Sequence, residues 1–181
     1  MDLINRAVQE TIRPERYRWW HAAAWGLAAN LLSATGPRPM DQSRYYESLK
    51  RPFFAPPAWA FAPAWTLNNI TSLWGDLRLL NLPRGTRYKR TLLGLQGAGW
   101  LLYATYSRAA FGTRSNILSF VWSSSYWLLT VASVLLSRKV DKKATLAFAP
   151  LLAWLTLATA LSGYIMINNP DPYFGTPPLR R

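Results

Sequence analysis

Five stretches of about 20 residues without a charged side chain constrain this chain more than any other feature of its sequence. They lie at about 19–35, 55–75, 91–107, 116–137 and 144–167. An α-helix rises about 1.5 Å per residue, so roughly 20 residues cross the ~30 Å hydrocarbon layer of a bilayer. The pattern predicts an all-α fold, a five-helix transmembrane bundle that forms a single domain over 1–181 and ends in an extended tail at 168–181.

The basic residues fall between these stretches. The chain has 21 Lys+Arg against 8 Asp+Glu, a net charge of +13, which in a soluble protein would favour nucleic-acid binding. Cations confined to the ends of apolar helices are instead typical of side chains that contact lipid headgroups. We therefore expect a multi-pass integral protein of a bacterial cell membrane or a mitochondrial membrane, with the lipid bilayer as a partner and no nucleic acid.

The near-absence of two residue types excludes several classes of site. The chain has no Cys, which excludes disulfide scaffolds, zinc fingers and cysteine nucleophiles. Its single histidine, His21, cannot build a His-rich metal site, and no acid/base pair lies inside the five stretches. We therefore expect no catalytic residues, no metal site and no enzymatic activity.

A stripe on the second stretch has two interpretations. Phe61, Trp65 and Asn69 recur every four residues, so they share one helix face. An amide in mid-membrane is costly against lipid and must face the bundle. The stripe is either the packing face of a helix kinked by Pro63 or the aromatic wall of a ligand site.

Other stretches carry similar faces. The fourth has small polar residues spaced by four and three, which is typical of packing between membrane helices: Ser119, Ser123, Tyr126, Thr130, Ser133 and Ser137. The third and fifth add amide and aromatic side chains, namely Gln96, Trp100, Tyr103 and Trp154. Three helices thus offer aromatic and amide groups to a common interior, as a pocket for a flat apolar ligand with polar edges requires.

One motif runs from the first loop into the second stretch. Residues 45–52 read Tyr-Tyr-x-x-Leu-x-Arg-Pro, and 56–66 read Pro-Pro-x-Trp-x-Phe-x-Pro-x-Trp-Thr. This segment strongly resembles the tryptophan-rich sensory protein/translocator protein family (TspO, peripheral-type benzodiazepine receptor). The family pattern there is Trp-Tyr-x-x-Leu-x-Lys-Pro, then Pro-Pro-x-Trp-x-Phe-x-Pro-Val-Trp-Thr. Residues 150–158 are similar to a second family motif in the fifth span.

The resemblance implies a membrane protein, often dimeric, that binds porphyrins, haem, sterols or other lipophilic small molecules inside the bundle, beneath the first loop, as a receptor or in transport. No cofactor is obligatory; porphyrin or haem is a candidate ligand. The family motifs and the helix stripes together suggest these ligand-binding residues: Tyr45, Tyr46, Pro56, Pro57, Trp59, Phe61, Trp65, Asn69, Gln96, Trp100, Tyr103, Trp154 and Ser162. We expect Tyr45, Tyr46 and Phe53 to form a lid over the pocket.

Departures from the family pattern leave the function open. Trp100 stands where the family has Asn, which predicts weaker or narrower binding, and Ser162 also replaces Asn. The first hypothesis is a protein that senses or moves tetrapyrroles or other flat lipophiles. The alternative is a diverged accessory or structural subunit of a larger membrane complex, respiratory or photosynthetic. A porphyrin-degrading enzyme is a third hypothesis, and it lacks residues for proton transfer.

Five spans place the two chain termini on opposite sides of the membrane. The N-terminus and the second and fourth loops hold 13 Lys/Arg, against 8 in the first and third loops and the tail. In a bacterial membrane the positive-inside rule then puts the N-terminus in the cytoplasm. Reporter fusions at each end measure this directly, and two termini on the same side would contradict the five-span prediction.

Overall fold

The computed structural model describes residues 16–180. Arg13, one of the basic residues that precede the first charge-free stretch and are predicted to contact lipid headgroups, lies outside them. In this part of the chain there are six α-helices. Their bounds are α1 (Trp19–Ser33), α2 (Pro39–Ser48), α3 (Phe61–Leu80), α4 (Lys89–Tyr106), α5 (Asn116–Ser137) and α6 (Lys142–Asn168). A 3₁₀ turn at Ala58–Ala60 leads into α3, and a π-helical turn at Ser107–Gly112 follows α4.

The five longer helices pack around a common interior. Helix α6 packs against α5 and α3, α4 packs against α5, and α1 packs against α4 and α3. Helices α3 and α5 make little direct contact, so they face each other across the bundle. The short helix α2 lies in the segment between α1 and α3 and contacts the 3₁₀ turn.

Each predicted span overlaps one longer helix, and the second is displaced. The charge-free stretch 55–75 predicts a helix that ends before Asp76, but α3 runs from Phe61 to Leu80 and so contains both Asp76 and Arg78. Pro63 lies in the first turn of α3, where a helix tolerates proline, so the predicted kink within this helix is wrong. Pro57 immediately precedes the 3₁₀ turn.

Two helices of the described chain are long and apolar enough to cross a membrane on length and composition: α5 and α6. Helices α3 and α4 have polar residues such as Asn68, Asn69 and Gln96 among their apolar ones. These residues lower the apolar character of a helix whatever face they occupy. The bundle is all-helical in the region described, and the number of membrane crossings stays a prediction.

Fully buried apolar side chains close one end of the bundle. Leu79, Leu92, Ala144 and Phe148 have no exposed surface and pack as one cluster. Gly75 is required here, since a Cβ at this position would lie 2.6 Å from the ring of Phe148. This cluster joins α3, α4 and α6 near the α3–α4 and α5–α6 loops.

The tail is not extended as predicted. Asp171 and Thr176 pair their backbones across a tight turn, and Gly175 has the positive φ that glycine adopts most readily. Burial opposes ionisation of the Asp171 carboxyl, but four hydrogen-bond donors hold its pKa below the ordinary value. The donors are the Ser115 hydroxyl and the backbone N–H groups of Ile117, Tyr173 and Phe174.

An ion pair joins α3 to the start of α6 at the end of the bundle opposite the tail. Asp141 accepts from the backbone N–H groups of Lys143 and Ala144, which makes it the N-cap of α6. It also forms a 2.7 Å ion pair with Arg78 of α3. Burial opposes ionisation of Asp141, but these donors lower the pKa of its carboxyl below the ordinary value.

We predict that Asp141→Asn lowers the free energy of unfolding by about 1 kcal/mol at neutral pH, because Asn keeps the cap and loses the charge. A depressed folded-state pKa gives stability that is present above the unfolded value of about 3.9 and is lost as pH falls through the folded value. The gap between variant and wild type in thermal unfolding should therefore close on acidification. Asp41→Asn, at an exposed acid of α2, is the control. A gap that is constant with pH would contradict the assignment.

Candidate ligand-binding site

A cavity of about 610 Å³ lies inside the bundle, between α2 on one side and the long helices on the other. Its wall is largely aromatic: Tyr45, Tyr46, Trp59, Phe61, Trp65, Tyr103, Tyr106, Phe111, Trp122, Tyr126 and Trp154. Proteins commonly hold small molecules in cavities of roughly 300–1,000 Å³ that combine apolar walls with a few polar groups. The size and lining of this cavity therefore fit such a ligand.

The rings form one connected array. Trp65 lies 5.2 Å from Tyr103 and 6.3 Å from Trp154, measured between ring centroids, and it is nearly parallel to Tyr126 at 6.5 Å. Phe61 meets Trp154 edge-on at 5.5 Å. Edge-to-face and offset rings at such distances attract each other, so this wall is stabilised before a ligand arrives.

Eight of the predicted residues line the cavity: Tyr45, Tyr46, Trp59, Phe61, Trp65, Tyr103, Trp154 and Ser162. The other five lie outside its lining: Pro56, Pro57, Asn69, Gln96 and Trp100. Pro56 contacts a residue of the lining through its backbone, since its carbonyl accepts a 2.8 Å hydrogen bond from the Tyr46 hydroxyl. Gln96 is partly exposed on α4.

Trp100 does not occupy the cavity. It is almost fully buried and its Nε1 donates to Asp76 Oδ2 at 2.7 Å. The predicted placement of Trp100 in the ligand pocket is therefore wrong, and the weaker or narrower binding stays a prediction. Replacing Trp100 with Asn would leave a void beside Asp76, instead of adding a polar contact to a ligand.

Asn69 supports the cavity from outside. Its side-chain amide donates to the Tyr103 hydroxyl at 2.8 Å, and that hydroxyl donates to Asn30 Oδ1 at 2.7 Å. The Asn30 amide in turn donates to the Gly26 carbonyl. This chain of hydrogen bonds links α3, α4 and α1 and fixes the Tyr103 ring at the cavity wall.

Most polar residues of the lining are not among the residues predicted from sequence. Helix α5 contributes Ser119, Ser123 and Asn116, and α2 and the π-helical turn contribute Gln42 and Ser107. The spacing of the polar residues on α5 is equally typical of helix packing, so the sequence alone does not assign them to the cavity. Trp122 of α5 also lines the cavity, and its Nε1 donates to the Thr105 hydroxyl.

Helix α2 covers one side of the cavity and is held by side-chain hydrogen bonds from its middle turn. Gln42 Nε2 donates to Ser107 Oγ at 3.0 Å, and the Tyr45 hydroxyl donates to the Arg114 carbonyl at 2.8 Å. Burial and the nearby Asp171 carboxylate raise the pKa of Tyr45, so its hydroxyl stays a donor.

The segment after α2 is fixed to the tail. Asn169 accepts from the backbone N–H of Lys50 and donates to its carbonyl, so its side-chain amide mimics a neighbouring strand. Phe53, predicted to belong to the lid, is fully exposed and does not line the cavity. The part of the loop that covers the cavity is α2 with its two tyrosines.

The sequence of this chain is similar to those of known proteins. Residues 22–167 match the TspO/MBR family. The chain belongs to the TspO/MBR family. It is 30% identical over 139 residues to the tryptophan-rich protein TspO of Chlorobaculum tepidum, covering 73% of this chain and 84% of that protein.

Two further TspO/MBR relatives align over similar lengths. The tryptophan-rich sensory protein of Cereibacter sphaeroides is 24% identical over 150 residues, which is 80% of this chain and 92% of the relative. Protein CrtK of Rhodobacter capsulatus is 28% identical over 152 residues, 82% of this chain and 92% of the relative. The match therefore includes most of the helical bundle and the cavity.

We predict that Tyr45→Phe loosens α2, because it removes the donor to Arg114 without changing the ring. A hydrogen bond of about 1 kcal/mol corresponds to roughly fivefold faster amide hydrogen exchange across 39–48. The measurement is exchange followed by mass spectrometry in detergent. Tyr173→Phe, at an exposed tyrosine of the tail, is the matched control and should leave α2 unchanged. Equal exchange in both variants would show that this bond does not hold the helix.

Proposed function

We propose that this TspO/MBR protein crosses the membrane several times and binds a flat lipophilic ligand of the tetrapyrrole class in the cavity, for sensing or transport. The family match and two apolar helices support the membrane location. The proposal rests on one observation, the array of aromatic rings that encloses a 610 Å³ cavity with polar groups at its edges.

The chemistry of the lining fits this ligand class. A macrocycle between the rings of Trp65, Tyr126 and Trp154 would gain about 25 cal/mol per Å² of buried apolar area and about 0.5–1.5 kcal/mol per stacked ring. Its polar edge groups would meet the hydroxyl and amide side chains of α5 and α2. Glu47 is the single acid among the described residues that line the cavity, so the wall is mostly neutral.

The likeness to the TspO/MBR family also supports proposals about partners, assembly and cofactors. The bilayer and a lipophilic small molecule are the partners, and the protein works as a homodimer or within a larger membrane complex. It has no catalytic residue, metal or obligatory cofactor. Helix α2 acts as the lid, since it covers the cavity and its bonds are few.

We predict that Trp65→Ala weakens protoporphyrin binding by about 1–3 kcal/mol, because Trp65 contacts three other rings of the wall. The measurement is quenching of tryptophan fluorescence by protoporphyrin in detergent. The matched control is Trp25→Ala, at a tryptophan exposed on the outer face of α1, with unchanged affinity expected. Trp122 cannot serve as a control because it lines the cavity.

The outcome also separates the alternatives. Saturable binding unaffected by Trp65→Ala would place the ligand outside this cavity. A wild-type protein that binds no protoporphyrin and purifies in mild detergent with stoichiometric partners would favour the accessory-subunit hypothesis. Conversion of the porphyrin to a new product by the wild type would favour the enzyme hypothesis.

A further inference from the structure

Three polar side chains form a buried ladder on α3, below the cavity. Asn68, Ser72 and Asp76 recur every four residues and expose 3%, 3% and 8% of their surface. Asn68 Nδ2, Ser72 Oγ and Asp76 Oδ1 have no hydrogen-bond partner among the residues that the structure describes. Buried polar atoms are normally paired, so three unpaired atoms on one face call for a ligand.

The size of the space decides which ligand fits. Each of the three atoms is closed off from a water-sized probe, so a hydrated cation does not fit beside them. Among residues 16–180, the carboxyl of Asp76 has one donor, Trp100 Nε1, and no cation against it. An ionised carboxylate is very costly in such surroundings, and the addition of a proton removes the charge without needing volume.

We propose that Asp76 is a proton-binding site inside the bundle, reached from the ligand cavity along Asn68 and Ser72. The ladder begins one turn beyond Trp65, which lines the cavity, and each four-residue step rises about 6 Å along the helix. Side-chain rotation of Ser72 and transient entry of water carry the proton from the cavity to Asp76 Oδ1. The proton bound there converts the carboxylate to a neutral acid.

The groups around Asp76 are mostly uncharged. Helix α4 presents Trp100, α5 presents Tyr126, and α6 packs Ala147 and Phe148 against the neighbouring Gly75. Helix α1 carries His21, whose Nε2 is also buried without a partner in the region described. Arg78 is turned to its ion pair with Asp141. A test of the proton site must therefore distinguish protonation of Asp76 from protonation of His21.

Infrared difference spectroscopy of the full-length protein in lipid tests the site. We expect a carbonyl stretch of a protonated carboxyl group at neutral pH that disappears in Asp76→Asn and shifts on transfer to D₂O. His21→Gln and Asp41→Asn should both retain the band. Trp100→Phe should shift its frequency, because the hydrogen bond to Asp76 Oδ2 is lost.

The route is tested by the rate of the D₂O shift. Ser72→Ala should slow it by about tenfold, equal to ~1.36 kcal/mol in the barrier. Ser133→Ala, a fully buried serine of α5, is the matched control and should leave the rate unchanged. A folded wild type without the band, or with a band that survives in Asp76→Asn, would overturn the proton site. Equal rates in the two serine variants would overturn the route. If Asp76→Asn does not fold, the frequency shift in Trp100→Phe still assigns the band to Asp76. A band whose frequency is unchanged in Trp100→Phe would overturn the assignment to Asp76.

Discussion

The hydrogen-bond chain from Asn69 through Tyr103 to Asn30 is the interaction on which the interior of this bundle depends. Hydrocarbon offers no partner to an amide, so these side chains must bond within the bundle. The chain fixes the relative rotation of α3, α4 and α1. With that rotation fixed, Trp65 and Tyr103 both turn their rings towards the cavity, and the aromatic wall follows.

The cavity exists because α3 and α5 stand apart while each packs on α6. The polar face of α5 is buried, and its hydroxyls bond within α5 or to α4 and α6. Thr130 bonds to the Tyr126 carbonyl, Ser119 to Tyr106 of α4, and Ser137 to Thr145 of α6. Such a face needs no partner from α3. Aromatic rings at one depth and the Asn68–Asp76 ladder at another fill the space between the two helices. The same separation therefore produces both the cavity and a buried carboxyl.

The sequence predicted helices and faces well and contacts less well. Charge-free stretches locate a helix because burial in lipid or protein excludes charge, and α5 matches its predicted stretch to the residue. The rule misplaced α3, since Asp76 is held inside by one indole donor that no periodicity reveals. The spacing of Trp100 and Tyr103 predicts that they share one face of α4. Residues three apart are nevertheless separated by about 60° around the helix axis. That angle is enough to turn the Trp100 ring to Asp76 and the Tyr103 ring to the cavity. Bonds across long sequence separations, such as Lys50 with Asn169, leave no local signal at all.

Those long-range bonds explain why the loop and the tail form one structure. Asp171 gathers donors from α5 and from its own turn, and two residues earlier Asn169 pairs with the backbone of Lys50. The start of α5, the end of α6 and the segment after α2 are thus fixed at one point beside the cavity. Helix α2 is held at this point and also by the Tyr45 hydroxyl, which bonds to the Arg114 carbonyl and the Asn116 side chain. The bonds of Tyr45 and Gln42 lie beside the cavity, whereas the contact of Lys50 with Asn169 lies beyond the end of α2. If α2 acts as the proposed lid, we expect it to pivot at the end nearer to the tail, because that contact can stay in place when the other two break.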